Sequence, residues 1–275
     1  NVGFAALQMN EALGLSAQTY ALGAGIFFVS YVAFEIPSNV VLARVGARLW
    51  IARIMITWGI VSAAMMFVRG ATGFFVMRFL LGAAEAGFFP GIIFYLTRWF
   101  PERERARTVA AFMTAVLAAG IVGGPVSGAL LTLHGAYGLA GWQWLFLLEG
   151  LPAVVLGVVV LGALTERPED AAWLSTRERT ALVRCLADES SAHGDQPRTL
   201  AAALGNGRVW LLALVYFTLP VALYAMSFWL PQILKIASGG SDFEVGVLSA
   251  IPYLCGAIGM VATGRHSDRT GERRW

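Results

Sequence analysis

Hydrophobic residues run along this chain in seven long, nearly unbroken stretches, at 19–42, 50–68, 73–97, 107–131, 142–164, 208–232 and 243–263. A helix needs about 20 residues to cross ~30 Å of hydrocarbon, and each stretch supplies roughly that. They show neither the alternation of a half-exposed strand nor the narrow apolar stripe of a soluble helix. The pattern predicts an all-α polytopic membrane protein. Asn1 to Met9 is apolar but too short to span, and reads as the end of a helix begun upstream.

The polar stretch 165–207 interrupts the series. Within it, Ser175 and Glu178 have the spacing of a capping box, followed by Leu182, Val183 and Leu186 on one helical face. With Trp173 beside it, this predicts an amphipathic helix on the inner membrane surface, in contact with lipid. Residues 189–197 (ESSAHGDQP) read as a flexible linker.

Composition sharpens the class. Of 275 residues, 57% are hydrophobic and 13% charged, with a mean hydropathy of +0.67. Soluble domains carry about 25% charged residues, so an ordinary cytosolic globule, a disordered chain and a coiled coil are all excluded. The net charge of +3 does not point to nucleic acid, because the basic residues sit in short clusters between apolar runs. Loops 43–53, 98–107, 165–208 and 265–274 hold 17 of the 20 basic residues, whereas the opposite loops hold Arg69 and Lys235. By the positive-inside rule, the arginine-rich loops are cytoplasmic. Cys185 lies in a polar loop and Cys255 in an apolar run, so no structural disulfide is expected.

Two of those cytoplasmic loops repeat. ARVGARLW at 43–50 and DRTGERRW at 268–275 share Arg, Gly, Arg and Trp at an offset of 225. The same offset carries 19–42 onto 244–267 and 1–9 onto 226–234. The expected organisation is a six-helix bundle at 1–164 with its first helix cut short, a cytoplasmic loop at 165–207, and the first two helices of a second bundle at 208–275. Two related six-helix halves make a transporter architecture. About 8 of 12 transmembrane helices would be present, with the chain cut at both ends.

GRHSDRTGERR at 264–274 resembles the cytoplasmic loop signature of the major facilitator superfamily, with a degenerate first copy at Asn39 to Arg48. EIPSN at 35–39, GARLWIARIMITWG at 46–59, RFLLGAAEAGFFPG at 78–91, GGPVSG at 123–128 and GLAGWQWLFLLEGLPA at 138–153 resemble its anion:cation symporter branch, especially bacterial transporters of tartrate and other hydroxy or sugar acids. The resemblance implies a bundle pair that rocks about a central site. It implies anion binding by Arg78, proton coupling by Glu85 and a substrate-contacting aromatic near Tyr31. It also places an Asp-Arg pair just ahead of Asn1. Arg44, Gly46, Arg48, Asp268, Arg269 and Gly271 would be the gating loops, in which Asp268 and Arg269 latch the cytoplasmic side.

The residues themselves support part of this. Ionisable groups deep in a span cost about 2.5–3.5 kcal/mol on insertion scales, and Glu35, Arg78, Glu85 and Glu149 stand there. Seven steps separate Arg78 from Glu85, which returns to the same helical face after a rise of about 10.5 Å. A guanidinium keeps its charge and matches a carboxylate. A carboxyl in a low dielectric favours its neutral form and can exchange a proton nearer neutrality. An intramembrane ion pair that fixes helix packing is the competing role.

Tyr31 and Tyr224 are mid-span hydroxyls that could meet a substrate. Glu35 reads as an anchor near a helix end, and Glu149 as a hydrogen-bonding partner of a neighbouring helix. Gly120, Gly124, Pro125 and Gly128 allow close helix packing with a kink. His134, His193 and His266 lie in loops without metal-ligand spacing, and no phosphate cradle or nucleophile motif appears. No metal, cofactor or catalytic residue is expected.

The reading is a monomeric secondary transporter of the bacterial inner membrane that takes up a small organic anion with protons. Protons are preferred to sodium because no carbonyl-rich broken helix is visible. An anion exchanger or uniporter of the same fold, or a transporter-like sensor, are the alternatives.

Overall fold

The computed structural model describes residues 1–192 and 205–270, with the side chains of all of these except 190–192, 267 and 268. Regular structure among the described residues is helical throughout. The α-helices are α1 (Val2–Ala12), α2 (Ala17–Val45), α3 (Ala47–Ala64), α4 (Ala71–Glu85), α5 (Phe88–Trp99), α6 (Glu102–Leu131), α7 (Gly141–Ala163), α8 (Thr176–Ala192), α9 (Gly207–Ser238) and α10 (Asp242–Thr270).

Seven described stretches are long and apolar enough to cross a bilayer, and they fall where hydrophobicity placed them. Several run past the apolar residues, because a helix stops at its cap rather than at the lipid boundary. Ser16 Oγ accepts the Thr19 N–H at 3.1 Å to start α2. Asn206 Oδ1 accepts the Arg208 N–H at 3.0 Å to start α9. At the end of α9, Gly239 takes φ +62°, a left-handed turn suited to glycine.

The third stretch is not the continuous helix that hydrophobicity predicts over 73–97. α4 stops at Glu85, Ala86 is extended (φ −53°, ψ 129°) and Gly87 is left-handed (φ +86°) before α5 resumes. Pro90 is the cause. It has no N–H for the Ala86 carbonyl, and its ring crowds that carbonyl in a helix. Ser38 Oγ donates to the released Ala86 oxygen at 2.7 Å, and Trp50 Nε1 donates to Ser38 Oγ at 2.9 Å. The break is therefore pinned from α2 and α3.

Helix α8 begins with the expected capping box. Ser175 N–H and Oγ donate to Glu178 Oε2 at 3.0 and 2.6 Å, and Glu178 N–H donates back to Ser175 Oγ at 3.3 Å. Those bonds hold the Glu178 carboxyl below its ordinary range. α8 continues to Ala192, so 189–192 are helical rather than a linker; 193–197 lie outside the described residues. Its Trp173 neighbour stacks on Trp99, with ring centroids 5.6 Å apart.

The internal repeat is visible in the backbone. Shifting Ala17–Val45 by the offset of 225 lands on 242–270, the bounds of α10. The cap repeats as well: Ser241 Oγ accepts the Glu244 N–H at 3.2 Å, as Ser16 does for Thr19.

Helices surrounded by lipid gain little from hiding apolar surface from one another, so they associate through close approach. α3 packs on α7 with Gly59 against Gly150, and a Cβ on either would stand 2.8 Å from the other's carbonyl oxygen. α2 packs on α4 through Gly23 against the Phe74 ring and Gly82 against the Phe27 carbonyl. α6 packs on α10 through Gly124 against Gly246, Gly128 against Asp242, and Gly120 against the Tyr253 ring. The main buried cluster includes Met9, Tyr20, Phe74, Leu145 and Phe228, at the end that holds the α1–α2 turn.

A Cβ at Gly124 would lie 2.5 Å from the Gly246 oxygen, whereas one at Gly123 meets nothing within 4 Å. Gly124→Ala is expected to destabilise by about 1–3 kcal/mol, the range for overpacking, and Gly123→Ala to leave stability unchanged or raised. Thermal unfolding of the two variants in the same detergent checks this.

Candidate functional site

The site centres on Arg78, which α4 carries towards α2. The residue is only 4% exposed. Its Nε donates to Gly23 O and its Nη2 to Ala24 O, both at 3.2 Å. The guanidinium carbon lies 4.6 Å from the Phe27 ring centroid and 5.8 Å from that of Phe228. No carboxylate pairs with it among the described residues, and Nη1 makes no hydrogen bond there. Carbonyl dipoles and ring faces compensate a cation only partly. An uncompensated buried charge is costly, so this arrangement favours the arrival of an anion.

Glu85 is the last residue of α4, immediately before the break. It is half-buried and makes no hydrogen bond or ion pair among the described residues. Arg78 and Glu85 lie within electrostatic reach of each other without touching. At roughly 10.5 Å of axial rise and an effective dielectric near 20, the attraction is about 1.6 kcal/mol. That is roughly a fifteenfold effect of the charge on one group upon the charging of the other.

Tyr31 and Tyr224 line the same region. Tyr31 packs on Phe27 with centroids 5.8 Å apart, and its hydroxyl lies in the electrostatic reach of Glu35, Glu85, Tyr224 and Tyr216. Tyr224 meets Phe28 edge-on at 4.7 Å. The expected anchor role of Glu35 is not seen. Its carboxylate has no hydrogen bond or ion pair among the described residues, and only its backbone oxygen is used, by Asn39 Nδ2 at 2.8 Å. Glu149 Oε1 accepts from Ser127 Oγ at 2.6 Å, joining α7 to α6. Pro125 lies within α6, two residues before that serine.

The expected absence of a broken helix is also corrected. The last bond of α4 runs from Ala86 N–H to Gly82 O at 3.0 Å, and the first of α5 from Gly91 N–H to Gly87 O at 2.9 Å. Between them, the carbonyls of Ala83, Ala84 and Glu85 are released from the helical ladder beside a carboxylate. The argument for protons over sodium from an intact helix therefore falls.

The profile of the Major Facilitator Superfamily matches residues 1–275. The chain belongs to the Major Facilitator Superfamily. It is 55% identical over its whole length to a protein of Agrobacterium vitis named as a tartrate transporter, of which it covers 63%. It is 43% identical, again over its whole length, to the inner membrane transport protein RhmT of Escherichia coli, covering 64%. The chain thus spans less than two thirds of these relatives. A bacterial homolog of the human lysosomal transporter Spinster, in an inward-facing and unoccupied conformation, has the same fold. Its TM-score is 0.71 at 19% identity, over 98% of this chain and 58% of that one. With bacterial relatives and seven helices fit to cross a bilayer, this superfamily member is a multi-pass inner-membrane protein.

The superfamily loop signature is folded as follows. Arg44 is exposed in the last turn of α2, and Gly46 takes φ +101° between α2 and α3. Arg48 lies in the first turn of α3, and its N–H and that of Ala47 donate to Glu166 Oε2 and Oε1, both at 2.8 Å. Arg98 Nη1 reaches Glu166 Oε1 at 2.6 Å. Arg269 is exposed in the last turn of α10; Gly271 and the Asp268 side chain lie outside the described residues.

Glu166 was not a candidate from sequence, since nothing local marks a carboxylate that caps a helix 119 residues away. Ser38 was equally hidden, whereas the break after Glu85 had a signal in Gly87-x-x-Pro90. Glu166→Ala is expected to cost about 1–2 kcal/mol, as loss of a helix N-cap does. Amide hydrogen exchange at Ala47 and Arg48 should accelerate by about tenfold, the equivalent of 1.4 kcal/mol. The exposed Glu169 makes no such contact, and its alanine variant should leave those amides unchanged.

Proposed function

We propose that the protein is a secondary active transporter that moves an organic anion inward together with protons by alternating access. The observation that carries the reading is the buried, carboxylate-free Arg78 sharing a helix and a region with the unpartnered Glu85. The name of the Agrobacterium vitis relative supports a hydroxy or sugar acid of the tartrate kind as substrate. In this reading residues 1–164 and 208–275 belong to two bundles joined by 165–207, and the protein acts as a monomer.

Arg78 Nη1 donates to the substrate carboxylate, and Tyr31 and Tyr224 contact its hydroxyls. Glu85 exchanges the proton. While ionised, Glu85 attracts Arg78 and competes with the incoming anion. Once protonated it no longer does, so loading of proton and anion favour each other. The arginines of the two loop signatures, with Asp268 and Gly271, close the cytoplasmic side in the opposite state. The glycine stripe of α6, kinked by Pro125, is the surface on which the bundles rock.

One observation favours a second reading. The carbonyls released beside Glu85 are the donor type that binds sodium, so a sodium gradient is the alternative driver.

Uptake of labelled hydroxy and sugar acids by proteoliposomes holding the full-length gene product separates these readings. An inward proton gradient, with sodium absent, should drive accumulation of one acid class. Glu85→Gln should abolish accumulation above equilibrium while retaining exchange of internal for external anion. Arg78→Lys should weaken both, because an ammonium lacks the fork that grips a carboxylate. Accumulation that ignores the proton gradient but follows sodium would transfer the coupling role to the break. Exchange unaffected by either gradient would leave an exchanger.

A further inference from the structure

Four helices end together on the non-cytoplasmic side; a single glutamine ties three of them, and a lysine joins the fourth. Gln8 Nε2, from the last turns of α1, donates to Asp242 Oδ2 at 2.8 Å and to Leu131 O at 3.2 Å. Asp242 begins α10, and Leu131 ends α6. The other oxygen of Asp242 accepts from Lys235 Nζ at 2.7 Å, and that ammonium also donates to Gly240 O at 2.9 Å. Lys235 lies in the last turn of α9. Both Asp242 oxygens are thus engaged, one from each side of the boundary between residues 1–163 and 207–270.

The knot closes a seam that has little else polar in it. Below it, Gly124 and Gly128 lie flush against the backbone of Gly246 and Asp242. Nearer the site, Tyr20 Oη donates across the same boundary to Phe228 O at 3.3 Å. Among the described residues, the buried ones of α9 and α10, Phe228, Pro231, Val245, Gly246 and Ser249, all lie in their outer portions. Gln8 Oε1 is buried without a partner, so the side chain stays inserted at a cost that its two Nε2 bonds must offset.

We infer that Gln8, Asp242 and Lys235 form the latch of the outer gate. Lys235 holds the Asp242 carboxylate in place within the trailing pair of helices. Gln8 is the movable half, released when the outer side opens. The Gln8–Asp242 bond involves a charged acceptor and should bias the closed state by about fivefold or more. The inference requires the two groups of helices to separate, but no particular substrate or driving ion.

The test is a pair of spin labels at the exposed positions Tyr137 and Ile236, one on each side of the boundary, with Cys185 and Cys255 replaced by serine. Measurements use the full-length gene product in nanodiscs. Gln8→Ala should raise the long-distance population about fivefold. Gln8→Glu sets two carboxylates against each other and should raise it further. Adding Asp242→Asn to Gln8→Glu should restore the short distance, because the asparagine amide can donate to the new carboxylate. That rescue also shows that Gln8→Glu folds. Distance distributions unchanged in Gln8→Ala and Gln8→Glu would overturn the latch, whatever the uptake assays find. So would a double variant that stays open.

Discussion

Backbone touching backbone at glycine is the contact on which the rest of this structure depends. Apolar side chains have no reason to prefer one another over lipid, so fixed geometry must come from surfaces that meet without gaps. Gly59 and Gly150 make α3 and α7 a rigid pair, and Gly82 sets α4 on α2. The second of these contacts decides where Arg78 lies, because the α2 carbonyls it reaches are in range only if α4 comes this close. The third, between α6 and α10, joins the two parts of the chain that must separate if the protein is to transport.

A chemical division of labour follows. Charges that are fully engaged stand at helix ends: Glu166 beneath the start of α3, Glu178 at the start of α8, and Asp242 with Lys235 at the outer surface. Arg78, Glu85 and Glu35, which have no ionic partner among the described residues, stand inside. Paired groups at the ends fix the scaffold. The unpaired ones inside carry a desolvation cost that would be smaller in water.

The sequence made the fold legible because the bilayer imposes a length on every span and a charge rule on every loop. The 225-residue repeat carried 19–42 onto 244–267, inside the bounds of α10, and both copies start at a serine cap. Arg78 and Glu85 stood out as ionisable groups in apolar runs. Hydrophobicity could not resolve the break after Glu85, because Ala86, Gly87 and Phe88 are as apolar as a continuous helix would be. Nor could it find Ser38, Glu166 or Gln8. Each acts on a residue tens or hundreds of positions away, and a lone serine, glutamate or glutamine carries no local sign of such a role.

The break has a mechanical consequence. One extended residue and one left-handed glycine join α4 to α5, so the span is two rods on a joint rather than one shaft. The inner rod can swing through changes in the Ala86 and Gly87 dihedrals alone, while the outer rod keeps Arg78 and Glu85 against α2. Ser38 and Trp50 act as a detent on that joint. That hydroxyl therefore acts at the joint itself, separately from the residues that would hold the cargo.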